Sequence, residues 1–125
     1  MRVTVQLIQK DLSTEETNVI ADGPGLLNGR KLVYVEKETG LRHTVTFDDD
    51  QVVLERAGEF PSKTVLVENK PGVSTVDSPY GRMVMSTRLK MKSRTPDLWM
   101  VQYQVISGDE VVLEQQLLWK IGNLN

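Results

Sequence analysis

The sequence contains no cysteine. That absence excludes disulfides, thiol nucleophiles, iron–sulfur clusters and cysteine zinc sites, and it fits a reducing compartment. There is one histidine, His43, so no multi-histidine metal site can form and any Ser-His-Asp triad has to use that residue. No nucleophile elbow accompanies it, and His43 reads as a partly exposed strand residue. Neither GxGxxG nor a Walker-type phosphate loop occurs, which leaves nucleotide binding without a motif. No apolar run approaches the ~20 residues of a membrane-spanning helix. The segment Met1–Gln6 has no apolar stretch of the secretory kind,. A cytoplasmic protein without membrane contact, cofactor or metal is therefore expected. Excess positive charge is lacking too. With a net charge of −2, nucleic acid is not the expected partner, because neutralising phosphates supplies most of such affinity.

What is present is the make-up of a single domain. The chain has 125 residues, a common domain size that buries a core without staples. Turn signals recur every ~8–12 residues, the spacing of a strand meander. They are Asp22-Gly23-Pro24-Gly25, Asn28-Gly29, Thr39-Gly40, Asp48-Asp49-Asp50, Asn69-Lys70-Pro71-Gly72, Ser78-Pro79-Tyr80-Gly81, Thr95-Pro96-Asp97 and Ser107-Gly108-Asp109. Between them lie candidate strands at Arg2–Gln9, Thr17–Ala21, Lys31–Glu38, Arg42–Phe47, Gln51–Arg56, Thr64–Glu68, Arg82–Lys92, Leu98–Ile106 and Glu110–Lys120, rich in strand-forming residues. A period of two puts Met83, Met85, Thr87, Leu89 and Met91 on one face and Arg82, Ser86, Arg88, Lys90 and Lys92 on the other, with Val84 the misfit. Similar apolar stripes are Trp99, Val101, Tyr103 and Val105, then Val111, Leu113, Leu117, Trp119 and Ile121.

Two segments are ambiguous. Ser13-Thr14-Glu15-Glu16 has capping-box spacing, but the β-branched residues after it favour a hairpin. Val111–Ile121 contains good helix formers, while the Ser107-Gly108-Asp109 corner favours a final strand. Many short strands must protect their edges, and closing the sheet does so. The fold expected over residues 1–125 is all-β, a single antiparallel up-and-down barrel of about eight strands.

Tyr34-Val35-Glu36, Arg56-Ala57-Gly58, Ser78-Pro79-Tyr80-Gly81 and Thr87, in that order and spacing, resemble the YwiB-like family of small bacterial proteins. The likeness spans roughly residues 30 to 106. It implies a calycin-type barrel, related in shape to lipocalins, in a family without an assigned activity. The Gly-x-Trp mark of lipocalins is absent, so their ligand chemistry does not carry over.

Polar residues punctuate the apolar face. Arg56 follows Val52 and Leu54 at the same parity, Gln115 lies between Leu113 and Leu117, Thr87 lies between Met85 and Leu89, and Tyr103 adds a hydroxyl. A buried arginine keeps its charge and needs acceptors. Glu36 is the candidate partner, and a ligand's carboxylate or phosphate is the alternative. The leading expectation is a non-enzymatic barrel holding a small amphipathic or anionic ligand, with Arg56, Tyr103, Thr87, Gln115, Glu36 and Tyr34 facing it. The rival is an interaction module using the outer basic row Arg88, Lys90, Lys92 and Arg94, although that row also suits a solvated face paired with Glu110 or Glu114. An enzyme built on Glu36 and Arg56 ranks third. The acidic run Asp48–Asp50 lacks the spacing of a calcium loop and reads as a solvated corner. A homodimer is compatible, being the commonest assembly.

Overall fold

The computed structural model describes residues 1–123. Among them are ten strands and no helix: β1 (Arg2–Asp11), β2 (Thr17–Asn28), β3 (Lys31–Val35), β4 (Arg42–Phe47), β5 (Gln51–Arg56), β6 (Ser62–Val67), β7 (Gly72–Ser78), β8 (Gly81–Arg94), β9 (Leu98–Ser107) and β10 (Glu110–Asn123). Each strand pairs antiparallel with the next. β1 also pairs with β10, from Val3↔Asn123 to Asp11↔Gln115, and so closes the barrel. Closure leaves no sheet edge to template association.

The barrel has ten strands rather than about eight. The one strand absent from the nine sequence candidates, β7, has no apolar period to announce it: its inward residues are Ser74 and Val76, and Ser74 is the buried one. Asp22-Gly23-Pro24-Gly25 is not a corner, since β2 runs straight through it. Gly23 and Gly25 pair with Val5 and Val3 of β1. A Cβ on Gly25 would lie 2.7 Å from Val5 Cγ2 and 2.9 Å from the Val33 carbonyl oxygen, so only glycine permits this close approach,. Pro24 is tolerated because the β2–β3 ladder begins one residue later, at Gly25↔Tyr34,. The turn itself is at Gly29-Arg30, where Gly29 takes a φ of 61°. Ser13–Glu16 is a turn held by Asp11, whose carboxylate accepts from the Ser13 amide and hydroxyl at 2.8 and 2.6 Å. Val111–Ile121 is strand.

Register shifts occur at Ile20 in β2, Lys90 in β8 and Val112 in β10, and the last two reset the expected parity. Pairing of β8 with β9 shifts between Leu89 and Met91, so Lys90 is an extra residue. One extra residue turns every later side chain to the opposite face. Met91 is consequently outside, 53% exposed, and Lys92 and Arg94 turn inward at the barrel end. Lys92 Nζ stands 5.5 Å over the Phe47 ring and Arg94 lies 5.1 Å over Trp99. The basic row 88–94 is thus divided, with only Arg88 and Lys90 left on the outer wall. Met83 is also exposed, for a different reason: the last β8–β9 pair is Ser86↔Ile106, so the start of β8 overhangs the rim. The bulge at Val112 places Val111 outside.

The inward stripes of β1, β3, β4, β5, β9 and β10 meet as expected. Val3, Val5, Leu32, Val45, Phe47, Val52, Trp99, Val101 and Trp119 are buried and fill one half of the barrel. Phe47 and Trp99 pack there at 5.5 Å between ring centres. No helix among the described residues is long and apolar enough to cross a membrane.

Candidate functional site

The other half of the interior is not filled. A barrel's diameter grows with strand number, and towards this end the inward residues turn polar. A cavity of about 250 Å³ opens there. Its apolar wall is Leu7, Ile20, Leu54, Leu117 and Trp119, and its polar side includes Tyr34, Glu36, His43, Arg56, Tyr103 and Gln115.

Strand register brings distant residues together. Tyr34↔His43, His43↔Arg56 and Arg56↔Ser62 are successive pairs across β3 to β6, forming one row. Glu36 is the first residue beyond β3, fixed by backbone bonds to Leu41 and Gly40 at 2.8 Å each. Its Oε2 accepts from Arg56 Nε at 3.0 Å and meets His43 Nε2 at 2.9 Å. Burial alone would raise the Glu36 carboxyl, but hydrogen bonds to His43 and Arg56, helped by their charges, outweigh it and hold the group below its ordinary value,. An ionised carboxylate only accepts, so His43 Nε2 is the N–H donor. The Tyr34 ring stacks on His43 at 5.3 Å.

Across the cavity, Gln115↔Tyr103 is a direct β10–β9 pair, and Gln115 donates to the Tyr103 hydroxyl at 2.5 Å. Gln9 in turn donates to Gln115. The Trp119 indole donates to the Tyr34 hydroxyl at 2.9 Å. Burial pushes both phenols up, so they remain protonated at neutral pH,.

Of the six residues singled out from the sequence, Tyr34, Glu36, Arg56, Tyr103 and Gln115 line this cavity. Thr87 does not. It is buried elsewhere, donating to the Val65 carbonyl oxygen at 2.7 Å beside Gly72. Its hydroxyl serves a strand junction, because the interior is tightly packed where β8 crosses close to β6.

A family model described as "Domain of unknown function (DUF1934)" matches residues 3–118. The chain belongs to that family. Among solved structures, the ywiB protein from Bacillus subtilis superposes with a TM-score of 0.61 at 14% identity, over 98% of this chain and 91% of that one. Identity that low speaks for the fold alone. No curated protein matches the sequence.

In this DUF1934 domain, sequence reasoning missed His43, Gln9 and Trp119 as site residues. Gln9 shares parity with Val3, Val5 and Leu7 and was legible by that rule. His43 was legible only through hairpin register, which pairs it with Tyr34. Among the described residues no group of acidic or histidine side chains is arranged to hold a metal ion. The run Asp48–Asp50 is a surface corner, where Asp49 pairs with Arg30 at 2.7 Å.

The Glu36 cluster makes the DUF1934 domain acid-sensitive in a defined direction. A carboxyl whose value is lowered by folding binds fewer protons in the native state, so it adds stability above its ordinary value of 4.5,. That stability is lost as pH falls from about 5 through the lower folded value. Urea unfolding at stepped pH should show a smaller acid loss for Glu36→Gln than for the wild type. Parallel pH curves would exclude Glu36 as a source of the acid loss.

Proposed function

We propose that this protein is a non-enzymatic barrel that holds a small amphipathic anion in the open half of its interior. One observation carries this: an apolar-walled cavity whose mouth is edged by a half-paired arginine. Arg56 uses Nε for Glu36, and its two terminal amino groups have no hydrogen-bond partner among the described residues. Its side chain is 40% exposed. A guanidinium so placed offers a fork to a carboxylate or phosphate, while Leu7, Leu54, Leu117 and Trp119 receive an apolar body,. An exterior interaction surface is less favoured, because its four-cation row is split by the Lys90 bulge.

Octanoate and hydrocinnamate are suitable probes, titrated by calorimetry, with native mass spectrometry of gently purified protein as the companion measurement. Binding of at least one probe is expected. Arg56→Ala should weaken it about tenfold or more, since a charged hydrogen bond contributes about 1.5–3 kcal/mol. Leu54→Trp, which fills the cavity, should abolish it. Absence of both probe binding and any co-purifying adduct overturns the proposal.

A further inference from the structure

The Tyr34 hydroxyl carries a proton that the protein does not use. An indole N–H can only donate, so in the 2.9 Å bond from Trp119 the Tyr34 oxygen is the acceptor. The phenol must then place its own proton elsewhere. No acceptor for it lies within hydrogen-bonding distance among the described residues, and Tyr103, also in the cavity wall, is in the same state, since its oxygen accepts from Gln115. Tyr34 is only 5% exposed and lines the cavity, so the proton meets whatever the cavity holds. A ligand that displaces water from beside it has to supply an acceptor in the water's place.

Position along the barrel adds a second constraint. On β3 the inward sequence is Leu32, Tyr34, then Glu36, with Leu32 fully buried and Glu36 at the rim. Tyr34 is level with Arg56 in the row Tyr34↔His43↔Arg56, and both stand one step below Glu36 and one above Leu32 and Leu54. Their side chains diverge: Arg56 reaches towards the rim carboxylate of Glu36, whereas the Tyr34 hydroxyl reaches across to Trp119. The Tyr34 proton is therefore a donor separate from the Arg56 fork, beside the apolar wall.

From this we infer that the ligand carries two oxygen functions, an anionic group at Arg56 and a separate neutral acceptor, such as a ketone or amide carbonyl, that takes the Tyr34 proton. The inference rests on the ligand-binding proposal above and narrows it from any amphipathic anion to an oxo-acid type. The hydrogen-bonded indole fixes the Tyr34 hydroxyl in advance, so the acceptor meets a preorganised donor.

The test compares octanoate with a positional series of oxo-octanoates, isotope-labelled at the ketone, by calorimetry and infrared spectroscopy. At least one oxo-octanoate should bind about tenfold tighter than octanoate, the order expected when a buried hydroxyl gains its acceptor. Its ketone stretch should move to lower frequency on binding, as for a hydrogen-bonded carbonyl. Tyr34→Phe should erase the difference between the two probe classes and the frequency shift together. If octanoate binds but no oxo-octanoate binds tighter or shifts, the inference is overturned and the ligand-binding proposal stands. If neither class binds, both fall. The infrared shift in wild-type protein decides the matter even should Tyr34→Phe fail to fold.

Discussion

Trp119→Ala should remove about 3–5 kcal/mol of folding stability, the range for deleting a fully buried large aromatic side chain. A domain of this kind has about 5–15 kcal/mol in total, so the variant will be marginal. Trp119 has no exposed surface and is paired in register with Leu7 on one side and Trp99 on the other. It stands between the filled half of the barrel and the cavity, where its indole donates to Tyr34. Nothing nearby can collapse into the space, because the adjoining half is already packed. Urea unfolding should show a lower midpoint with an unchanged slope. Trp119→Phe retains most of the volume and loses the N–H, so it should cost much less. Equal losses for the two variants would show that the hydrogen bond to Tyr34, not packing, is what the position supplies.

Gly72→Ala should cost about 3 kcal/mol, the upper range for forcing extra atoms into a packed interior. A Cβ at position 72 would lie 2.0 Å from the Val65 carbonyl oxygen and 2.5 Å from Thr87 Oγ1. The first of these is backbone, and the second is already committed to that same carbonyl at 2.7 Å. Neither can yield without breaking the junction of β6, β7 and β8. Gly23 provides the internal control. It too lies in a strand, yet a Cβ there meets nothing within 4 Å. Gly23→Ala should leave stability within about 0.5 kcal/mol. A comparable loss at both positions would mean that the steric contact at Gly72 does not set the cost, because unfolded-chain entropy favours alanine at either site.

Much of the candidate site was readable before any fold was known. Arg56 stood out because an arginine at core parity requires an acceptor, and Glu36 because it shares the YwiB-like marks with Arg56; they do pair, at 3.0 Å. Gln115 and Tyr103 stood out as polar residues within apolar stripes, and they bond to each other across β10 and β9. His43 escaped because a lone histidine on a short strand has no intrinsic mark. Its importance comes from the neighbours that register gives it. Thr87 was assigned to the same face correctly but to the wrong region, since parity fixes the side of a sheet and says nothing of height along the barrel.

The alternation of apolar and polar residues by itself determined an all-β chain, and the turn residues determined where most strands end. Both are local properties, written in side-chain chemistry one or two residues apart. Only the tertiary structure decided the number of strands, the two parity reversals and the cavity. β7 is recognisable as a strand only between β6 and β8, because it has almost no apolar face of its own. The bulge at Lys90 sends Met91 outward and Lys92 inward, and the one at Val112 sends Val111 outward. The cavity exists because ten strands enclose more width than the side chains at one end can fill, a quantity that belongs to the closed ring and to no segment of it.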